Sequence, residues 1–410
     1  MPHRPTTLAM LRDALIVALV AVVTVQAMRR WIGDRYLVPT DSMQPLLYGD
    51  PEDGDIVFVD KLASANARRR GDLVVVADEA NPGHQLVKRI AARGDDPAES
   101  FLDIRNGDVY LGPNRQQVQR VEKDPADPAT PRVAWGSLPG TEDAREVLDV
   151  RALTGDGPWQ LPPLAAMLAD ARPAFRPRAR RVRHRDPLDG VLPQGAVGTN
   201  RPMDCSFLDV AGRRSMNGDD VAATDCGMTV DFAEVRGVVL CTIDAADVGV
   251  TFLLDCEERR VTIWNDAQVG RQQDLQAHDW RGRLTFGRLD GRYFLLLDDV
   301  VAMLEPVGAA SALPRPRTYL HVAVVGEAPA SIRSIDVFRD VYSYRPPEQS
   351  VPGGESKWPV YIGKGEWFLL GDNAFDSRDS RQFGAVKASS FLGVPRFVLG
   401  PWSRRRWITP

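Results

Sequence analysis

Cysteine and histidine are scarce in this chain, four and five respectively among 410 residues. The four cysteines, Cys205, Cys226, Cys241 and Cys256, sit together in the middle of the sequence. Their spacings match none of the short paired intervals of zinc sites, and no ligand-like histidines accompany them. Neither a metal nor a nucleotide or other cofactor is implied. Disulfides and buried free thiols are both open readings of the four, depending on the redox compartment. A charge excess is missing too: the formal net charge is -4, so the chain as a whole has no basic footprint and no nucleic-acid partner is expected. Long helical patterns are few. With 34 glycines and 31 prolines, the composition favours a mainly β protein with a substantial core.

One long apolar run stands out. Residues 14–28 carry no charge, and with Leu11–Asp13 and Arg29–Ile32 added the stretch reaches the ~20 residues of a spanning helix, its arginines snorkelling and Trp31 at the interface. This reads as a transmembrane anchor in a segment covering 1–32. A cleavable leader is the rival, because Val25-Gln26-Ala27 resembles a cleavage site. Arginines flank the run on both sides, so charge alone gives no orientation.

Just beyond lies Val38-Pro39-Thr40-Asp41-Ser42-Met43-Gln44-Pro45. Proline fixes its own φ and drives the preceding residue toward extended backbone, so Ser42 sits on a stiff connector. Such a connector can hold a nucleophile, although a serine in a proline-rich loop is more often a plain turn residue. Short antiparallel strands follow at 55–60, 70–76 and 85–91. In the third, a period of two puts Leu86, Lys88 and Ile90 on one face. A lysine between apolar neighbours loses hydration, which lowers its pKa toward values where it can act as a base.

Asn106-Gly107 marks a hairpin. Residues 114–203, rich in proline, arginine and aspartate, read as an irregular linker, with a basic run at 176–185 that is a solvated face or a lipid-headgroup contact. Strand signals return over 204–345, where paired runs flank Asp290-Gly291, and their spacing suggests an inserted β-sandwich, loosely concanavalin-like. Residues 346–410 return to a strand, Glu366–Leu370, followed by a loop dense in Asp, Asn, Ser and Arg in which Asp379 and Arg381 form a natural brace.

Four of these blocks, in this order, resemble bacterial type I signal peptidase (leader peptidase), a membrane-bound serine–lysine endopeptidase. They are Pro39–Pro45 with Gly49-Asp50, Arg70–Val75, Val87–Ile90 with Gly94-Asp95, and Gly371–Asn373 with Ser377–Arg381 and Gly384. The resemblance covers roughly residues 10–113 and 355–400 and implies an antiparallel β catalytic domain split into parts at 33–113 and 346–410. It implies Ser42 as nucleophile and Lys88 as general base, with the Ser42 N–H and the Thr40 hydroxyl at the oxyanion hole. Ser377, Asp379 and Arg381 become supporting residues, and Val38, Pro39, Met43, Leu47 and Leu86 line shallow apolar pockets for small side chains. The partners implied are exported preproteins bearing signal peptides and the lipid bilayer. The location implied is the inner cell membrane, single-pass, with the catalytic domain extracytoplasmic and the N-terminus in the cytoplasm. Leu46, where the family usually has Thr, and Ala374-Phe375, in place of a polar pair, depart from the pattern without removing a catalytic group. The large insert departs further. A catalytically idle, membrane-tethered binding protein working through the sandwich is the alternative reading. A self-cleaving repressor on a related fold would need a DNA-binding segment ahead of the apolar run.

Overall fold

The computed structural model describes residues 7–79, 81–127, 130, 132–163, 196–208, 213–215, 221–245, 248–265, 268–275, 280–307, 318–345 and 358–408. The basic run at 176–185 lies outside them. The chain divides into two compact units. One is made of residues 1–105, 109–119 and 345–410, and the other of 106–108 and 120–344.

The first unit opens with helix α1 (Thr7–Trp31) of 25 residues. At ~1.5 Å per residue it exceeds the ~30 Å of a bilayer's hydrocarbon core, and it is the one helix among the described residues long and apolar enough to cross a membrane. Leu15, Val17, Leu19 and Val20 point outward, each more than half exposed. An apolar helix left unburied by the described residues has its hydrophobic surface available to lipid. Its end is chemically closed. Arg29 and Arg30 occupy the last turn, favourable to the helix dipole, and Lys61 Nζ donates to the Arg29 carbonyl at 2.8 Å.

An eight-stranded sheet follows. Strands β1 (Gly33–Leu37), β2 (Ile56–Asp60), β3 (Leu73–Ala77) and β4 (Gln85–Arg93) supply its first half. The spatial order is β1, β2, Phe391–Gly400, β3, β4, Glu366–Leu370 and Val386–Lys387, with Arg406–Trp407 paired to Phe391–Gly400. β3 reads Leu-Val-Val-Val because both its faces are covered. Leu73 and Val75 join a core with Val38, Met43, Leu47, Val57 and Val59, while Val74 and Val76 join another with Ile90, Trp367 and Leu369. β4 pairs on one side with β3, Val74 opposite Lys88, and on the other with Glu366–Leu370. The blocks around residues 70–75, 87–90 and 366–371, far apart in sequence, are therefore neighbours in one sheet.

The second unit is built on two seven-stranded sheets. One runs Trp159–Leu161, Ala330–Arg339, Cys226–Glu234, Arg283–Leu289, Arg292–Leu297 and Val300–Pro306, with Val133–Leu138 also paired to Ala330–Arg339. The other runs Gln268–Asp274, Arg260–Asn265, Val248–Asp255, Val238–Ala245, Thr318–Val325, Val197–Thr199 and Leu148–Asp149. Strands of the two sheets touch, and Met228, Val230, Phe286, Val239, Ile243 and Phe252 are fully buried, so the unit is a β-sandwich with its own buried core. Asp290 and Gly291 both have positive φ, as the expected hairpin turn requires. The expected linker differs from what is seen. Val133–Leu138, Leu148–Asp149, Trp159–Leu161 and Val197–Thr199 are strands of the sandwich. Runs this short, set among prolines and charges, show too few periods to be read from sequence.

An ion cluster sits within the second unit. Asp108, Asp225, Asp290 and Asp340 hold carboxylate oxygens within 4.8 Å of one another, and among the described residues they are the group that could hold a metal ion. Lys123 already supplies positive charge there, its Nζ bonding Asp340 and lying 3.5 Å from Asp290. Arg120 and Arg288 approach Asp108 and Asp225 at 3.5 and 3.4 Å. Burial, reinforced by the neighbouring carboxylates, pushes Asp108 up to about 7, and burial pushes Asp340 up to about 6. A carboxyl raised by folding binds its proton more tightly folded than unfolded. Its contribution to stability is full below the ordinary carboxylate pKa of ~4 and is lost as pH rises through the folded value. The stability of wild type relative to Asp108→Asn is expected to fall as pH rises from about 4 to about 7, as chemical denaturation of the two proteins measures. A relative stability that climbs over this range contradicts the assignment.

Candidate active site

Ser42 lies in a single 3₁₀ turn, Asp41–Met43, between extended Thr40 and extended Gln44. Several bonds fix the loop. Val38 donates to the Asp55 carbonyl at 2.8 Å and accepts from Asp50 at 3.1 Å, Leu47 donates to the Met43 carbonyl at 2.9 Å, and Gln44 Nε2 reaches the Asp41 carboxylate at 2.6 Å. Met43 and Leu47 are buried in the sheet's core and pin the loop from beneath. Gly49 permits a close crossing, since a Cβ there would lie 1.8 Å from the Thr40 carbonyl oxygen.

Lys88 projects from β4 on the face shared with Ile90 and is 2% exposed. Its Nζ donates to Ser42 Oγ at 2.7 Å, and Thr40 Oγ1 donates to the same oxygen at 3.3 Å. Burial lowers the Lys88 pKa to about 8, with Arg381 and Arg378 pushing the same way and Asp379 and Asp372 opposing. At pH 7 about one Lys88 in ten is then neutral, against fewer than ~1 in 1,000 for an ordinary lysine.

The loop after Glu366–Leu370 supplies the surroundings. Asp379 accepts from Gly371 N at 2.9 Å and from Arg381 Nε and Nη2 at 2.7 Å each. The pair is buried, and Asp379 also caps the short helix Ser380–Phe383 by accepting from Arg381 N. Both partners are thus satisfied, which is the condition for tolerating charge in the interior. Ser377 is buried and, among the described residues, its Oγ has no hydrogen-bond partner. Of the expected pocket residues, Val38, Met43 and Leu47 belong to one core, Leu86 packs against the other, and Pro39 is exposed.

Three further residues have no role assigned from sequence. Arg89, next to Lys88, makes two bonds of 2.8 Å to Asp372, 283 residues away. Asn373 donates from Nδ2 to the Asp41 carbonyl and from its backbone N to the Ser42 carbonyl, both at 3.2 Å. Gly371 leaves room for both serines, because a Cβ there would lie 2.1 Å from Ser377 Oγ and 2.5 Å from the Ser42 carbonyl oxygen. The Gly-Asp-Asn run at a strand end is the signal that marked them, but an Asx-rich turn carries the same signature.

Residues 11–144 and 338–402 match the family model described as "Signal peptidase, peptidase S26". Signal peptidase I of Aquifex aeolicus (strain VF5) is 34% identical over 92 residues, covering 22% of this chain and 34% of that protein. Signal peptidase I of Mycobacterium tuberculosis (strain CDC 1551 / Oshkosh) is 31% identical over 105 residues, covering 24% of this chain and 36% of that protein. The chain thus spans about a third of the length of the curated relatives it matches. Among solved structures, a carbohydrate binding module from Bacillus subtilis is 15% identical, covers 35% of this chain and 86% of that one, and has a TM-score of 0.22, too low to assign the sandwich to a fold family. The chain is similar to the type I signal peptidases in two segments, with an insert between them.

Gly371→Ala is expected to destabilise the protein by about 1–3 kcal/mol, because the added methyl must displace backbone at Ser42. Chemical denaturation measures this, and a variant as stable as wild type contradicts the close packing.

Proposed function

We propose that this protein is a membrane-bound signal peptidase, a serine endopeptidase that cuts exported preproteins after Ala-x-Ala-like sequences. The observation that carries the reading is the 2.7 Å bond between two buried groups, Lys88 Nζ and Ser42 Oγ. A hydroxyl attacks a peptide carbonyl only when a base removes its proton, and a desolvated lysine with a pKa of about 8 is neutral often enough to serve.

In the proposed reaction the neutral Lys88 takes the Ser42 proton as Oγ bonds to the scissile carbonyl carbon. Negative charge collects on the former carbonyl oxygen, facing the Ser42 N–H and the Thr40 hydroxyl, whose rotation away from Ser42 Oγ frees it to donate. Two such donors are together worth several kcal/mol. The proton on Lys88 passes to the leaving amine, and the signal peptide stays as an ester on Ser42. Lys88, neutral again, draws a proton from water, which attacks the ester and releases the signal peptide's new carboxylate. The Ser377 hydroxyl, without a partner at rest, takes up Lys88 when Ser42 Oγ leaves it. Asp379 and Arg381 hold that loop. Substrate adds as an extended strand, and Val38, Pro39, Met43, Leu47 and Leu86 shape shallow pockets that accept small side chains. Helix α1 anchors the protein in the inner membrane, with the catalytic part on the outer side, where signal peptides emerge.

The test incubates detergent-solubilised protein with a preprotein bearing an Ala-x-Ala site. Wild type is expected to cleave, and Ser42→Ala and Lys88→Ala to lose roughly 10³-fold or more, as nucleophile and base act as a unit. The wild-type rate is expected to rise with pH and level off above a midpoint near 8, because the active form is the deprotonated lysine. Equal cleavage by all three proteins, or none by folded wild type, overturns the reading.

A further inference from the structure

Asn373 touches neither Ser42 Oγ nor Lys88 Nζ through any described hydrogen bond, yet it brackets the nucleophile. Its Nδ2 donates to the Asp41 carbonyl and its backbone N to the Ser42 carbonyl, at 3.2 Å each. The Asp41 carbonyl belongs to the same peptide unit as the Ser42 N–H. A trans peptide is a rigid plane in which C=O and N–H point in opposite directions. Fixing one end therefore fixes the direction of the other. Only an amide nitrogen can face a carbonyl oxygen, so the acceptor dictates which way the Asn373 side chain is turned.

We propose that Asn373 is a positioning residue for the oxyanion hole, aiming and polarising the Asp41–Ser42 peptide so that its N–H meets the charge that develops on the scissile oxygen. The inference rests on the peptidase reading above and assigns a role to a residue outside the serine–lysine pair. Two effects act together. Gln44 N also donates to the Asp41 carbonyl, at 3.0 Å, so that oxygen accepts two bonds. Electron density drawn toward it strengthens the opposite N–H as a donor. The aim is rigid as well, since Asn373 is 2% exposed and its predecessor, Asp372, is held by both nitrogens of the Arg89 fork. A donor that needs no reorganisation during the reaction is the kind that lowers a barrier. The groups that bear on the Lys88 charge are Asp379, Asp372, Arg381 and Arg378. Asn373, being neutral, leaves that balance alone.

The experiment compares full-length wild type and Asn373→Ala in detergent on a peptide spanning an Ala-x-Ala site. Two inhibitors accompany it: an aldehyde of the same sequence, whose hemiacetal oxygen occupies the oxyanion position, and an uncleavable analogue that only occupies the binding strand. Expected for the variant are a kcat lower by about 10- to 100-fold, an unchanged KM, an unchanged pH midpoint, and aldehyde affinity lost in step with kcat while the analogue binds as before. Asn373→Asp keeps the shape and the backbone N–H but removes the donor. Read on the pH plateau, it gives the same kcat and KM split should the alanine variant fail to fold. An unchanged kcat, a loss confined to KM, or a pH midpoint moved in Asn373→Ala overturns the role. Wild type that fails to cleave removes the parent reading and this role with it, whereas cleaving wild type beside an equally active variant removes this role alone.

Discussion

A lysine ammonium buried beside a serine hydroxyl is the constraint around which the first unit is arranged. Taking a charged ammonium out of water is expensive, and the protein meets the cost by letting Lys88 approach neutrality. Everything that keeps water from Lys88 contributes to this. β3 supplies Val74 directly opposite, β4 supplies Ile90 on the same face, and the Glu366–Leu370 strand closes the far side. Two carboxylates nearby, Asp379 and Asp372, pull the other way, and each is engaged by an arginine, Arg381 and Arg89 respectively. Were either arginine absent, the carboxylate would be left to stabilise the lysine's charge and raise its pKa. The buried ion pairs thus bear on the base as well as on the loop they brace.

The geometry also explains why the first unit tolerates a long interruption. β4 and Glu366–Leu370 are adjacent strands of one sheet although the whole sandwich lies between them in the chain. The closure entropy of a loop grows only with the logarithm of its length, and an insert with its own core carries its own stability. The sandwich has that core, in two sheets whose inner faces are fully buried. Its ion cluster and the Lys88 site have opposite pH preferences. Protonation favours the former and deprotonation activates the latter, so acidity that steadies this cluster silences the proposed base.

Much of this was legible in the sequence, for identifiable reasons. The Glu366–Leu370 and β2–β4 strands were readable because short apolar, largely β-branched or aromatic runs are bounded by Gly, Asp and Pro, and Asp290-Gly291 was readable because only such residues adopt a left-handed turn with ease. The roles proposed for Ser42 and Lys88 came only through the family resemblance, since a serine between prolines and a lysine on a strand are each commonplace. Hidden were the sandwich strands within 133–199, too short to display a period, and the roles of Asn373, Gly371 and the Arg89–Asp372 pair. Those depend on a contact between loops some 330 residues apart, Asn373 with Asp41, and local pattern carries no information on such pairings. Met43 and Leu47, expected at the pockets by motif, are buried beneath the Ser42 loop, a depth that the motif does not display.

The central claim is that Lys88 is desolvated enough to lose its proton near physiological pH. A direct measurement labels lysine side chains isotopically and follows the Lys88 resonance by NMR in detergent-solubilised protein as pH is raised, with Lys88→Met identifying the signal. A midpoint near 8 is expected. A midpoint at the ordinary lysine value of ~10.4 would contradict the claim, because Lys88 would then be a buried cation paired to Ser42 and no base for it.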